Sequence, residues 1–358
     1  MRLEEIDKNL KIETDITEPD ILWRSVRQAP FSIHGVLYDE EQGCFVRMPQ
    51  SVADRVSRGV ADLNHCTAGG RIRFKTNSSF IGIRAVQKNR EPSSHMSRLG
   101  QSGLDLYRKA EGGTEIFVNA FRPPMNMTEG YSSPLKTDGS MAEYTINFPL
   151  YDNLHELYIA LKKDAVLEAP SPYAIEKPVV YYGSSITQGG CAGRPGNSYQ
   201  GMLSRRLNID HINLGFSGQG KAEPEMAAYL AELCKNASAF VCNYDWNAVT
   251  EEYLEKTHLP LYRTIRMANP RLPILFLSEP EIVHHPQRML PRLEIIRKTY
   301  LTAKAEGDEK VWFLPGNMIY RGEHWDTCTV DACHPNDLGF YRMAMAIEPY
   351  LKEMLEMK

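Results

Sequence analysis

The sequence predicts a two-domain protein in which an all-β sandwich or jelly roll precedes an α/β domain built on a doubly wound parallel sheet. The length of 358 residues exceeds that of one ordinary domain and fits two. Short alternating runs fill the first half, whereas apolar runs alternate with amphipathic helical patterns in the second. Two prolines in Ala169-Pro-Ser-Pro172 indicate a linker between these halves. We therefore predict domains at residues 1–172 and 173–358.

Short runs in the first half are typical of β-strands, because apolar and polar residues alternate along them. Clusters of Gly, Ser, Asn and Pro separate these runs, which is the pattern of a sandwich or jelly roll. The polar segment 91–102 is predicted to be a long loop. The strand candidates are residues 31–36, 70–75, 80–84, 104–108, 115–119 and 144–148.

The second half predicts a flavodoxin-like sheet of about five parallel strands. Its strand candidates are apolar throughout, as expected for strands covered on both faces. Ligands of such sheets bind at the carboxyl ends of the strands, so the loops that follow the strands are the candidate site. The predicted strands are residues 179–183, 212–215, 239–245, 274–278 and 311–314, and the predicted helices are residues 198–207, 222–235, 251–268, 287–305 and 337–357.

Composition limits the function classes. An apolar fraction of 42% with 24% charged residues is typical of a soluble globular protein, and a net charge of −4 without a long basic run disfavours nucleic acid as a partner. No stretch is long and apolar enough for a membrane span, and the charged N-terminus lacks the apolar core of a signal peptide. The seven cysteines are scattered without metal-ligand spacing, so we expect no metal site and, weakly, a cytoplasmic location.

A serine-containing loop, Tyr182-Gly-Ser-Ser-Ile-Thr-Gln-Gly189, leaves the first predicted strand of the second domain. A serine at this edge of the sheet lies open to the crevice and close to the start of a helix. Serine is a weak nucleophile that needs a neighbouring base to take its proton. A polar turn or an anion-binding loop is the alternative interpretation.

The sequence Asp331-Ala-Cys-His334 precedes the last predicted helix. Because both side chains lie in one short loop, the aspartate can orient the imidazole while His334 faces the crevice. The alternative is that Asp331 or Asn336 only caps the helix, with Pro335 at its start.

Two further loops could supply the donors that stabilise a carbonyl oxygen when it becomes negative. The first, Asn213-Leu-Gly-Phe-Ser-Gly-Gln-Gly220, offers backbone N–H groups, with Gly218 as the candidate. The second, Asn243-Tyr-Asp-Trp-Asn247, offers the side-chain amide of Asn247. A glycine turn and a polar strand end are the alternative interpretations of these two loops.

Together and in this order, these pieces resemble the sequence blocks of the SGNH (GDSL-type) hydrolase family. The family's first block is Gly-Asp-Ser, and Gly183-Ser-Ser185 matches it with Ser184 in place of the aspartate. The second-block glycine falls on Gly218, and the fifth-block Asp-x-x-His matches Asp331 and His334. The resemblance implies the SGNH hydrolase fold and a serine esterase activity.

The third block, Gly-x-Asn-Asp in the family, aligns with Asp245-Trp-Asn247-Ala248, which keeps the asparagine but lacks the glycine and the final aspartate. The resemblance covers about residues 178–356. It implies that no metal or organic cofactor is required. It assigns nucleophilic attack to Ser185, proton transfer to His334, tautomer control to Asp331, and the oxyanion hole to the N–H groups of Ser185 and Gly218 and the side chain of Asn247.

The stretch 190–199 resembles the segment after the nucleophile in a subgroup that has a β-rich N-terminal domain and is associated with acylated carbohydrates. This implies that Arg194 and Asn197 line the substrate pocket, with loop architecture as the alternative. Trp246 and Trp325 could stack on a sugar ring or pack as buried aromatic residues. The favoured substrate is a short acyl group, acetyl above all, on a sugar or oligosaccharide. An acyltransferase using the same site and an inactive carbohydrate-binding protein are the alternative functions, and the sequence leaves the oligomeric state open.

Overall fold

The computed structural model describes residues 14–88, 91–109 and 113–357, and Cα positions divide the chain into two compact units. Residues 1–13, part of the N-terminal segment considered above for a signal peptide, lie outside the described residues. The chain changes unit after Pro172, where the sequence predicts a linker, and also at both ends of two short segments, 48–64 and 194–196, that the sequence does not mark. The first unit comprises the described residues up to Arg47, His65–Pro172 and Arg194–Gly196, and the second comprises Met48–Asn64, Tyr173–Gly193 and the described residues from Asn197 onward.

The first unit is an antiparallel β-sandwich, which confirms the predicted class. Its strands are β1 (Ile21–Ser25), β2 (Ser32–His34), β3 (Leu37–Asp39), β4 (Cys44–Val46), β5 (Arg71–Thr76), β6 (Phe80–Val86), β7 (Leu104–Lys109), β8 (Glu115–Phe121), β9 (Tyr131–Lys136), β10 (Ala142–Asn147), β11 (Glu156–Lys162) and β12 (Leu167–Glu168). One sheet has the order β1-β11-β6-β9, a second has the order β12-β5-β10-β7-β8 with β2 beside β5, and β3 pairs with β4 alone. Alternate residues such as Ile72 and Phe74 of β5 and Ile81 and Ile83 of β6 share one buried core, as the period of two requires.

Among the described residues of the first half, where only strands and loops are predicted, there are three short helices. They are α1 (Gln50–Val56), α2 (Arg58–Asn64) and α3 (Arg98–Ser102). The prediction of a loop throughout 91–102 is therefore wrong at its end, where the Ser97 hydroxyl accepts the Gly100 N–H and caps α3. Helices α1 and α2 belong to the second unit and contribute Ala53, Val56 and Val60 to its core.

The second unit contains a five-stranded parallel sheet with helices, which confirms the predicted α/β class. Its strands are β13 (Ile175–Gly183), β14 (Ile209–Gly215), β15 (Ala239–Asn243), β16 (Ile274–Leu277) and β17 (Val311–Leu314). Their order is β14-β13-β15-β16-β17, so the second strand in sequence lies on one side of the first and the third on the other. This flavodoxin-like order reverses at β13, and ligands bind beside the carboxyl ends at such a reversal.

The other described helices of this unit lie after β13 and, except for the first of them, begin and end close to their predicted bounds. They are α4 (Ser185–Gln188), α5 (Tyr199–Leu207), α6 (Pro224–Leu233), α7 (Glu251–Ala268), α8 (Pro286–Ala305) and α9 (Asp337–Met354). Local capping sets several of these starts: the side chains of Ser198, Thr250 and Asn336 accept N–H groups of the first turns of α5, α7 and α9. Among the described helices, none is sufficiently long and apolar to span a bilayer.

Candidate active site

The Ser185 loop starts where β13 ends, between its two neighbouring strands. Gly183 pairs with Gly215 of β14 on one side and Asn243 of β15 on the other. A Cβ atom at Gly183 would lie 2.1 Å from the carbonyl oxygen of Asn243, so the strand end requires glycine. The next residue, Ser184, caps α4 by accepting the Ile186 N–H at 3.2 Å. Ser185 therefore occupies the first turn of α4 at the carboxyl edge of the sheet, with 4% of its surface exposed.

The loop before α9 turns tightly between Asp331 and His334. Asp331 Oδ1 accepts the backbone N–H groups of Cys333 and His334 at 3.1 and 2.7 Å, and Ala332 adopts a left-handed φ of 61°. Asn336, rather than Asp331, caps α9 by accepting the N–H groups of Leu338 and Gly339. The carboxylate of Asp331 is thus directed to its own loop, and the helix-cap interpretation applies to Asn336 alone.

Ser185, His334 and Asp331 form one chain of hydrogen bonds. Ser185 Oγ lies 2.9 Å from His334 Nε2, and His334 Nδ1 lies 2.8 Å from Asp331 Oδ2. Partial burial opposes ionisation of Asp331, but the hydrogen bonds from the His334 ring and from the backbone outweigh it and hold the pKa of this carboxyl below its usual value. The order of the contacts places a hydroxyl, a base and an orienting carboxylate in series, as acyl transfer through a serine requires.

Two of the three predicted oxyanion residues, Gly218 and Asn247, lie in the loops after β14 and β15. Gly218 has a left-handed φ of 68° that favours glycine. The Asn247 side-chain nitrogen donates to the Phe216 carbonyl oxygen at 3.1 Å, and the Phe216 N–H donates to the Gly183 carbonyl oxygen at 2.9 Å. Since an amide carries two hydrogens, this contact commits one of them and leaves the other for a further acceptor. The oxyanion role of Gly218 and Asn247 stays a prediction.

Arg194 and Asn197 are the two residues predicted to line the substrate pocket. Arg194 belongs to the first unit, where its Nε lies 3.5 Å from Asp105 Oδ2 and its guanidinium lies 3.8 Å from the ring centre of Phe117. Asp105 is buried in β7 and also accepts the Gly196 N–H at 2.8 Å. Asn197 ends a short turn, Pro195–Asn197, and is largely buried. The predicted substrate roles of Arg194 and Asn197 stay predictions.

Three buried carboxyl groups lie behind this edge of the sheet: Asp245, Glu279 and Glu281. Ser184 Oγ donates to Glu279 Oε1 at 2.7 Å, and the Glu279 N–H donates to Asp245 Oδ2 at 3.2 Å. Burial raises the pKa of Asp245 to about 7, and burial together with the charge of Asp245 raises the pKa of Glu279 well above its usual value. Sequence reasoning placed Asp245 only within the third sequence block and missed both glutamates.

Two family models match the chain, one in each half. A model of the GDSL-like lipase/acylhydrolase family matches residues 176–352, and a model of the N-terminus of SGNH-hydrolase-type esterases matches residues 21–167. The chain belongs to the GDSL-like lipase/acylhydrolase family. It is accordingly a serine esterase of the SGNH type, as the four sequence blocks predict.

Solved structures similar to this SGNH esterase extend over nearly the whole chain. A protein from Bacteroides ovatus described as a GDSL-like lipase is 27% identical, with a TM-score of 0.84 and coverage of 94% of this chain and 99% of that one. A salicylyl-acyltransferase from a tetracycline biosynthetic pathway is 17% identical, with a TM-score of 0.75 and coverage of 94% and 98%. An acetyl xylan esterase from the rumen bacterium Butyrivibrio proteoclasticus is 14% identical, with a TM-score of 0.55 and coverage of 94% and 99%. Comparison with curated protein sequences gives no significant match.

The SGNH esterase has a cysteine, Cys191, only a few residues after Ser185. Cys191 is buried, and burial together with the nearby Asp331 charge raises the pKa of its thiol to about 12. A thiol acts as a nucleophile only when ionised, so this one is unreactive near neutral pH. Cys191 is therefore a small packed residue rather than a second nucleophile.

Proposed function

We propose that this esterase hydrolyses short acyl esters of carbohydrates, acetyl esters above all, through an acyl-enzyme on Ser185. The observation that carries the proposal is the hydrogen-bonded series from Ser185 Oγ through His334 to Asp331. It supplies a nucleophile, a base within hydrogen-bond reach, and a carboxylate that fixes the base.

In the proposed first half-reaction, Ser185 Oγ attacks the ester carbonyl carbon while His334 Nε2 takes the hydroxyl proton. The tetrahedral intermediate collapses, the bond to the alcohol oxygen breaks, and His334 returns the proton to the leaving alcohol. In the second half, water attacks the acyl-enzyme with the same proton transfers and releases the carboxylic acid. Backbone N–H groups of Ser185 and Gly218 and the amide of Asn247 are the proposed donors to the oxyanion.

Two observations support a carbohydrate ester as substrate. The acetyl xylan esterase shares the fold over nearly its entire length. In addition, Trp325 is 43% exposed, with its ring centre 5.3 Å from that of His284, on the segment between β17 and the Asp331 loop. An exposed indole offers a flat apolar face on which a sugar ring can stack.

The central experiment compares the wild type with Ser185→Ala on p-nitrophenyl acetate, butyrate and octanoate. We expect the wild type to prefer acetate, and Ser185→Ala to lose about 10⁴- to 10⁶-fold in kcat while keeping its melting temperature. A folded Ser185→Ala protein that retains more than a tenth of wild-type turnover would refute the nucleophile.

The sugar preference has its own test. Trp325→Ala should raise KM for an acetylated xylo-oligosaccharide and leave p-nitrophenyl acetate hydrolysis unchanged. Tyr341→Ala, which removes a similarly exposed ring from α9, is the matched control. Equal KM values for Trp325→Ala and the wild type on the oligosaccharide would remove the stacking role.

Acyl transfer to an alcohol is the second candidate function, because the salicylyl-acyltransferase shares the fold at a TM-score of 0.75. Both reactions form the same acyl-enzyme and differ only in whether water or an alcohol attacks it. Product analysis with competing alcohols separates them: a transferase gives a new ester as the main product, whereas a hydrolase gives the free acid.

A further inference from the structure

The hydroxyl of Ser184 connects a buried carboxyl group to the helix that carries Ser185. Ser184 and Glu279 are both fully buried, and Ser184 Oγ donates to Glu279 Oε1 at 2.7 Å. A hydroxyl has one hydrogen, so its lone pairs remain for the Ile186 N–H, which approaches at 3.2 Å. The carboxyl group of Glu279 therefore fixes the direction in which Ser184 caps α4.

Glu279 is itself held by the strands on its side of the sheet. Its N–H donates to Asp245 Oδ2, and the side-chain nitrogen of Asn243, with the amide oriented toward Glu279, lies 3.1 Å from Oε2. The Ser184 N–H in turn donates to the Asn243 carbonyl oxygen at 3.1 Å. The carboxyl group, the strand end and the serine loop thus form one connected set of hydrogen bonds.

A fully buried carboxyl group is costly, because burial removes its hydration. The proposed chemistry uses Ser185, His334 and Asp331 and gives Glu279 no part in proton transfer. The first sequence block also lacks the aspartate that its family usually places at position 184. In this chain the carboxyl group of Glu279 accepts a hydrogen bond from the side chain at that position.

We propose that Glu279 is a positioning residue that holds the Ser185 loop in its reactive geometry through the Ser184 hydroxyl, in place of the missing aspartate. The inference rests on the proposed role of Ser185 as nucleophile. Loss of the Glu279 contact should slow the acylation of Ser185, because a shift of α4 changes the approach of Ser185 Oγ to the ester and to His334.

The test uses the full-length protein and the burst of p-nitrophenol that reports acylation. Glu279→Met keeps the side-chain length but removes the acceptor, so it takes away a buried carboxyl group and leaves the Ser184 hydroxyl and the Asn243 amide without that partner. We expect acylation to slow about ten- to a hundredfold, as for loss of one hydrogen bond to a buried group. KM should change little, and the melting temperature should stay well above the assay temperature. Glu279→Gln, which keeps an acceptor for Ser184, should recover most of the rate.

Two Ser184 variants separate positioning from bulk stability. Ser184→Ala should slow acylation as much as Glu279→Met, and the double variant should be no slower than either, since both remove the same link. Ser184→Asp in the Glu279→Met background restores the usual first block and should recover the rate. Multiplied losses in the double variant, or acylation within threefold of wild type in Glu279→Met, would overturn the proposal.

Failure of this proposal is distinguishable from failure of the proposed function. If Ser185→Ala still shows the burst, the nucleophile assignment falls and the positioning role falls with it. If Ser185→Ala abolishes the burst but Glu279→Met and Ser184→Ala acylate normally, only the positioning role is overturned. Should Glu279→Met fail to fold, Ser184→Ala decides alone, and acylation within threefold of wild type in that variant refutes the link.

Discussion

Replacing Asp331 by Asn exchanges one carboxylate oxygen for an NH2 group and keeps the size of the side chain. It therefore tests the hydrogen bonds of the loop before α9. Asp331 Oδ1 accepts two backbone N–H groups, and Oδ2 accepts the Nδ1–H of His334. In Asp331→Asn the amide oxygen must stay with the two N–H donors, because an NH2 group there would face hydrogens. The new NH2 therefore points at Nδ1 of His334, which can accept it only when the ring proton moves to Nε2.

In this tautomer His334 cannot act as the base. Nε2 is the atom that lies 2.9 Å from Ser185 Oγ, and once it carries a proton it cannot take another from the hydroxyl. In serine hydrolases the equivalent exchange lowers kcat by about 10⁴, which corresponds to about 5 kcal/mol of activation free energy. We expect a loss of this size in kcat for Asp331→Asn.

The fold should survive this change. The pKa of Asp331 is below its usual value, so its carboxylate stabilises the folded state above about pH 4 and this contribution is lost as the pH falls further. Solvent screens the partly exposed side chain, so the melting temperature at neutral pH should differ little. Below about pH 4 the wild type should lose stability relative to the variant.

The assay is steady-state hydrolysis of p-nitrophenyl acetate, with melting curves measured on the same preparations. Asn336→Ala is the matched control, because it removes the cap of α9: it should cost about 1 kcal/mol of stability and leave kcat near normal. A folded Asp331→Asn protein with kcat within tenfold of wild type would show that Asp331 does not control the tautomer of His334.

Three further outcomes are expected. Asn247→Ala should lower kcat by about 10²–10³ with little change in KM, because the donor acts on the charge of the transition state, and steady-state kinetics with kcat within threefold of wild type would contradict this. Asp245→Asn should stabilise the protein relative to wild type, by the order of a few kcal/mol at pH 8 and by less at pH 5. The reason is that the raised pKa of Asp245 makes the wild-type folded state lose stability as the pH rises from about 4 to about 7. Urea unfolding that gives the same stability difference at both pH values would contradict this. A fragment of residues 173–358 should lack a cooperative melt, because it leaves out Met48–Asn64 and with it buried side chains worth about 1.5–3 kcal/mol each; a cooperative melt with wild-type turnover would contradict it.

Much of the second unit could be predicted from the sequence because its signals are local. Helix α7 begins and ends at the predicted residues, with Thr250 as its cap and an apolar stripe at helical spacing. Strand β17 also matches its predicted bounds. The Asp331 and His334 side chains meet because three residues of chain bring them into one turn, whereas Ser185 meets His334 only through the parallel order of the strands.

The features that sequence reasoning missed depend on distant partners. Helices α1 and α2 are short, and their apolar residues Ala53, Val56 and Val60 become a recognisable face only when packed on the core of the second unit. Glu279 follows β16 in Leu277-Ser-Glu-Pro280, which is typical of a polar strand end. Its buried hydrogen-bond partners Ser184 and Asp245 lie far from it in sequence, so no local pattern indicates this environment.

The contacts of Arg194 show how this residue supports the structure of its own loop. Its guanidinium lies over the ring of Phe117 and beside the buried carboxylate of Asp105. A nearby positive charge offsets part of the cost of removing that carboxylate from water. Asp105 also accepts the Gly196 N–H, so one carboxylate holds two points of the segment Arg194–Gly196. A guanidinium already engaged in this way has fewer donors for a ligand. Because an acylated sugar is neutral, the proposed substrate does not require that charge, and the two roles of the segment are compatible.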